Sequence, residues 1–158
     1  MKSFSVSYLV NLLMEEENGT LKNSKKRKKK NGFKNGSEIH REFGYENNDT
    51  YYKEFEYNGG KYKIYGTPDK VDHEKGIVEE FKTYVKSSNK TLQIRRGELQ
   101  LIFYCYLTGL NLGKLIIYDT KKNQEVFSQI FYVPNDIQTE ILNYALKKAL
   151  EKQKIKEA

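Results

Sequence analysis

The stretch that most limits what this chain can fold into is Gly66 to Thr83, GTPDKVDHEKGIVEEFKT. The polar run Asp72-His73-Glu74-Lys75-Gly76 reads as a hairpin turn between two extended segments. The first segment ends at Asp69; the second, Ile77 to Thr83, carries Glu80 and Lys82. Side chains alternate along a strand, so Glu80 and Lys82 project from one face while Ile77 and Phe81 point to the other. Such a hairpin brings two carboxylates and an ammonium to one sheet edge, a set of charged groups suited to a divalent cation and a phosphate. Glu79, one place away, faces opposite to Lys82, which makes Glu80 the better companion of Asp69.

The rest of the chain reads as helices and strands arranged around that edge. Ser3 to Glu17 has the apolar stripe of a helix in Tyr8, Leu9, Leu12 and Leu13, with Ser5 or Ser7 as cap and Asn18-Gly19 as stop. A second helix is expected from Asn35 to Gly44, with Glu38 in a capping-box position, Ile39 and Phe43 on its buried face and His40 beside them. Tyr51 to Tyr57 alternates aromatic and charged residues, and Asn58-Gly59-Gly60 signals a tight turn into a partner strand, Lys61 to Tyr65. A polar linker around 87–90 precedes a helix from about Leu92 to Thr108, with Leu99, Ile102, Phe103, Tyr106, Leu107 and Leu110 as its buried stripe and Gly109 as terminator. Lys114 to Asp119 reads as a central strand covered on both faces, and Glu125 to Val133 as another strand. Asn135 or Asp136 caps a last helix through Ile141, Leu142, Ala145, Ala149 and Leu150, and the tail after Gln153 is expected to fray. This order predicts one α/β domain over 1–158, a mixed central sheet flanked by helices on both faces.

Charge is distributed unevenly. The net charge is +7, but residues 22–34 hold eight basic residues and no acid, and the remainder carries 20 basic and 21 acidic residues. The positive field therefore belongs to one segment, expected to form a flexible loop over 20–33. Lys25, Lys26, Arg27, Lys28, Lys29 and Lys30 would attract a nucleic-acid backbone without sequence preference. No apolar run approaches the roughly 18 residues of a membrane helix, and no signal-peptide pattern opens the chain. Cys105 is the one cysteine, which excludes an internal disulfide and a cysteine-rich metal centre. The expected setting is intracellular and cytoplasmic, with no membrane partner.

Gly-x-x-Asp at Gly66 and Asp69, then Glu80-Phe81-Lys82 at the end of an apolar strand, resembles the signature of the PD-(D/E)XK nuclease superfamily. Two further motifs resemble its RecB-like branch. One is Gln100-x-x-x-Tyr104 on the following helix; the other is Gly36-Ser37-Glu38-Ile39-His40 upstream. The likeness spans residues 3–120 and is nearest to CRISPR-associated RecB-like exonucleases and their small viral relatives. It implies a restriction-endonuclease-like core and Mg²⁺- or Mn²⁺-dependent hydrolysis of phosphodiesters, on single-stranded DNA or DNA ends. By the same resemblance His40, Asp69, Glu80 and Phe81 form the metal site, Lys82 assists the attacking water or the charged phosphorane, and Gln100 and Tyr104 support the site or touch substrate. Arg96, one helical turn before Gln100, is added as a phosphate contact, and Tyr51, Tyr52 and Tyr84 as rings that could stack on unpaired bases. The chain departs from the CRISPR-associated members in lacking their four iron–sulfur cysteines, so no cluster is expected. Two other readings stay open: a nucleic-acid-binding protein that keeps the fold without turnover, and a structure-selective endonuclease on branched DNA with a homodimeric footprint.

Overall fold

The computed structural model describes residues 1–18, 49–84 and 90–157. The expected helix at 35–44 lies outside them, as do His40 and the lysine-rich segment.

The elements run β1 (Lys2–Ser5), α1 (Val6–Asn18), β2 (Tyr51–Tyr57), β3 (Gly60–Gly66), β4 (Lys70–Asp72), β5 (Ile77–Tyr84), α2 (Lys90–Thr108), β6 (Leu112–Asp119), β7 (Gln124–Tyr132) and α3 (Asn135–Glu157). Among the described residues this is an α/β fold with mixed sheets flanked by three helices, compatible with a restriction-endonuclease-like core. The strands form two sheets where one was expected: a three-stranded sheet in the order β1-β3-β2 and a four-stranded sheet in the order β4-β5-β6-β7. Each sheet contains one parallel pair, β1 with β3 and β5 with β6.

Two short strands were not anticipated. Residues 3–5 were expected to begin the first helix, yet they belong to β1, which pairs in parallel with β3 and sets Phe4 against Ile64. Ser5 then closes the strand and starts the helix by accepting the Tyr8 N–H at 3.1 Å, as an N-cap does. Lys70 to Asp72, expected as part of a loop, is an antiparallel partner of β5. The β2–β3 turn has positive φ at Asn58 (47°) and Gly59 (79°), as a two-residue hairpin turn requires.

Helix α2 is the centre of the molecule. It touches both sheets and both other helices. A helix covered on so many sides is buried round most of its circumference, which is why the expected one-sided stripe is too narrow. Leu101, Tyr104 and Cys105 are buried beside Leu99, Phe103 and Leu107, while Ile102 and Tyr106 are only half-buried. Tyr106 instead docks β2: its hydroxyl donates to the Glu54 carbonyl at 3.2 Å, and its ring meets Phe55 edge-on at 5.9 Å.

On β5 and β6 the main core lies behind Val78, Leu115 and Ile117, on the face that also bears Glu80. The opposite face carries a smaller cluster of Phe81 and Tyr118, with Ile116 packed on it. The apolar backing expected behind Phe81 is thus the lesser of two cores. Helix α3 buries Leu142, Ala145, Leu146 and Ala149, and it continues to Glu157 where fraying was expected after Gln153. Lys154 and Lys156 in its last turn favour that extension by facing the negative end of the helix dipole.

Gly97 lets α2 lie close on β6. A Cβ there would stand 2.3 Å from Leu115 Cδ1, and Leu115 is fully buried with nowhere to retreat. Gly97→Ala is expected to cost about 1–3 kcal/mol, measured as a lower urea midpoint at unchanged slope. A wild-type midpoint would show that the contact yields without cost.

Candidate metal and phosphate site

The site begins where β3 ends. Gly66 accepts the Tyr104 ring and the Val6 side chain so closely that a Cβ would lie 2.9 Å from Tyr104 Cε1 and 2.8 Å from Val6 Cγ2. Thr67 and Pro68 lead to Asp69, immediately before β4. The antiparallel register pairs Lys70 with Glu79, so one further step sets Asp69 opposite Glu80.

Two crossed hydrogen bonds lock that pair. The Asp69 N–H donates to Glu80 Oε1 at 3.1 Å, and the Phe81 N–H donates to Asp69 Oδ2 at 2.8 Å. Each carboxylate therefore satisfies a backbone donor on the other strand, which fixes both side chains without a long lever. Lys82 Nζ lies 3.3 Å from Glu80 Oε2. The structure thus brings Asp69, Glu80 and Lys82 together. Glu79 turns away to Lys70, at 3.9 Å.

The electrostatics are those of crowded acids. Glu80 is 2% exposed. Burial pushes its carboxyl up to about 7, and the negative charge of Asp69 adds to the rise; Lys82 and the Asp69 N–H oppose it. Tyr104, 4% exposed, has its hydroxyl held well above the usual range by burial and by the charges of Glu80 and Asp69. It is a neutral donor at any working pH. Gln100, one turn earlier, is buried, and its Oε1 has no hydrogen-bond partner among the described residues. An unpaired buried amide oxygen is costly in a stable fold, and beside a cation or a ligand donor it would be satisfied.

The remaining expected residues divide. Arg96 is half-buried, and its Nη1 donates to Asn11 Oδ1 on α1 at 2.5 Å, a tether that competes with a phosphate role. The Tyr51 hydroxyl lies 3.3 Å from His73 Nε2, whereas Tyr52 is exposed beneath the Lys63 ammonium, 4.3 Å from the ring centroid. The Tyr84 side chain, His40 and Lys25, Lys26, Arg27, Lys28, Lys29 and Lys30 fall outside the described residues. Among the described residues no third His, Cys, Asp or Glu joins Asp69 and Glu80. The donor set is nevertheless a good match for a hard divalent cation, since it consists of two adjoining carboxylates whose mutual repulsion a cation would relieve.

What sequence reading missed here is the packing that holds the site. Gly66 matters as the seat of the Tyr104 ring, and Val6, the first residue of α1 directly after β1, completes that seat. Strand β1 positions it.

No family model matches the chain, and no curated protein matches it. Among solved structures it is similar to the crystal structure of SSO0001, at 21% identity and a TM-score of 0.65, over 95% of this chain and 76% of that one. It is also similar to Candida albicans Rai1 in complex with pU5-Mn2+, at 12% identity and a TM-score of 0.35, over 64% of this chain and 33% of that one. The likeness to SSO0001 is one of fold.

Proposed function

We propose that this chain is a Mg²⁺- or Mn²⁺-dependent nuclease that hydrolyses phosphodiester bonds in DNA, with single-stranded DNA or DNA ends as substrate. The observation that carries the proposal is the crossed pair of Asp69 and Glu80 with Lys82 against Glu80. Asp69 and Glu80 would hold the cation, with His40 and the Phe81 position added by resemblance. A bound Mg²⁺ or Mn²⁺ supplies the charge that polarises a phosphate oxygen and acidifies a water at neutral pH. Lys82 keeps an ammonium beside that oxygen set, where it can orient the attacking water or meet the growing charge on phosphorus. Tyr104 contributes a protonated hydroxyl, and Gln100 an amide with unused acceptor capacity. Among the described residues no helix is long and apolar enough to cross a membrane; action inside the cell is part of the proposal.

The test incubates the purified chain with labelled single- and double-stranded DNA and either Mg²⁺ or Mn²⁺, beside Asp69→Ala. Loss of cleavage by a factor on the order of a thousand is expected for the variant. Cleavage that survives this substitution removes the site; no cleavage of any substrate with either metal favours a binding protein of the same fold.

A further inference from the structure

Among the described residues the two sheets have four edges, and three of them are guarded against another strand. Strand β1 has four residues, and Lys2 Nζ ties it to α3 by donating to Gln153 Oε1 at 2.8 Å. Strand β2 carries three charged residues, Lys53, Glu54 and Glu56, and the Tyr106 hydroxyl takes its Glu54 carbonyl. Strand β4 has three residues, two of them the charged Lys70 and Asp72. Short, charged or covered edges are the usual means by which a folded chain refuses a foreign strand.

Strand β7 lacks these guards. It is nine residues long, QEVFSQIFY, with Glu125 as its one charge and neither Pro nor Gly. A bulge at Val126 lies near its start, where Glu125 faces Tyr118 and Phe127 faces Ile117. Beyond it, Phe127 to Tyr132 is a regular, uncharged strand on the outer side of β6. The Val133 N–H donates to the Asn111 carbonyl at 2.7 Å, so Val133 turns its backbone groups toward β6. Successive residues of an antiparallel strand turn theirs to opposite sides. Phe127, Gln129 and Phe131 therefore bond inward, while Ser128, Ile130 and Tyr132 present N–H and C=O outward. Among the described residues no hydrogen bond reaches those outward groups. The side chains of the same three residues are exposed, Ile130 at 55% and Tyr132 at 70%.

We infer that β7 pairs with β7 of a second copy of this chain, antiparallel about a two-fold axis between the two Ile130 residues. That register joins the outward residues only to one another, Ile130 to Ile130 and Ser128 to Tyr132 in both directions. It satisfies every outward N–H and C=O from Ser128 to Tyr132 and sets a large ring beside a small side chain. No two like charges oppose each other. A strand of another protein would meet the same backbone groups, but here one neutral strand supplies both halves of each match. An edge-to-edge interface is narrow, so the dimer is of the exchanging, concentration-dependent kind. The inference stands on the strand edge and is independent of the nuclease reading. If both hold, the two Asp69–Glu80 pairs lie on one face of a continuous sheet, five strand spacings or roughly 24 Å apart.

The test is sedimentation velocity of the full chain in EDTA, without nucleic acid, over a wide range of concentration. A monomer–dimer equilibrium is expected. Ile130→Lys sets two ammoniums against each other at the axis and should weaken the dimer roughly a hundredfold or more, at an unchanged far-UV circular dichroism spectrum. Ile155→Lys, the same change at an exposed residue of α3, should leave the dimer intact. Oxidation of Ile130→Cys and Ser128→Cys reads the register. The paired Ile130 positions are within disulfide reach, with Cα atoms about 5.5 Å apart. The two Ser128 positions are out of register by four residues, about 13 Å. Ile130→Cys should therefore cross-link into a dimer on a denaturing gel and Ser128→Cys should not; Cys105 is buried and does not compete. A chain that stays monomeric at the highest concentration, a dimer indifferent to Ile130→Lys, or equal cross-linking of the two cysteines would each overturn the pairing. A chain that dimerises in this register but cleaves nothing removes the nuclease reading alone.

Discussion

Glu80→Gln is expected to abolish metal-dependent cleavage and, in the absence of metal, to stabilise the fold above neutral pH. The two effects have one cause. The Glu80 carboxyl is raised from an ordinary 4.5 to about 7, chiefly by burial and then by Asp69. A raised folded-state value means that the folded chain holds a proton which the unfolded chain has released. Stability is therefore complete below the unfolded value, declines as pH rises between the two, and is flat above about 7. The full decline is about 3 kcal/mol. Gln cannot ionise and still accepts the Asp69 N–H through its carbonyl, so the decline disappears. Part of the gain is offset because the amide NH₂ now faces the Lys82 ammonium. A net rise of about 1–2 kcal/mol at about pH 8 corresponds to a melting temperature higher by roughly 2–8 °C in a domain of this size. Near pH 4.5, where the wild-type acid is already neutral, the variant should be no more stable than wild type. Mn²⁺ should raise the wild-type melting temperature and leave that of the variant nearly unchanged. A variant destabilised equally at both pH values would mean that Glu80 is simply a structural acceptor.

A buried acid whose ionisation costs stability is what the proposed role of Glu80 entails. This part of the candidate site was legible in the sequence for local reasons. The approach of Asp69 to Glu80 and Lys82 depends on a hairpin closed by a short polar turn, and strand alternation then fixes which acid faces which lysine. Local rules decide both. The elements missed were those that local rules do not reach. Strand β1 is four residues long and pairs with a strand about sixty residues away, so no periodicity in Lys2–Ser5 could reveal it. Strand β4 is three residues long and exists through its partner. The buried circumference of α2 was misread as one stripe because the sequence does not say how many neighbours a helix has. The contact of Lys2 Nζ with Gln153 Oε1 joins residues at opposite ends of the chain, which no local pattern could announce.

Lys82→Met is the complementary case, and its expected signature depends on pH. The Lys82 side chain is 16% exposed and its ammonium is the counter-charge that holds the Glu80 carboxyl down against burial and Asp69. Without it the folded-state value of Glu80 moves higher still, and the loss of stability with rising pH continues past neutrality. Near pH 5 the acid is protonated in the folded chain and needs no counter-charge, so the variant should match wild type to within a few tenths of a kcal/mol. At about pH 9 it should be less stable by about 1–3 kcal/mol, below the cost of stranding a fully buried ion because Glu80 can escape by keeping its proton. Adding Glu80→Gln to Lys82→Met should erase the pH dependence and recover most of that loss, a coupling that two independent sites would not show. Cleavage near pH 7 should fall by a factor on the order of 10² to 10⁴, as expected for removal of a positioned proton donor or charge stabiliser. Chemical denaturation at the two pH values, read beside the cleavage assay, separates the alternatives. A loss of stability that is the same at both pH values would assign Lys82 to packing, and an unchanged rate would take it out of the reaction.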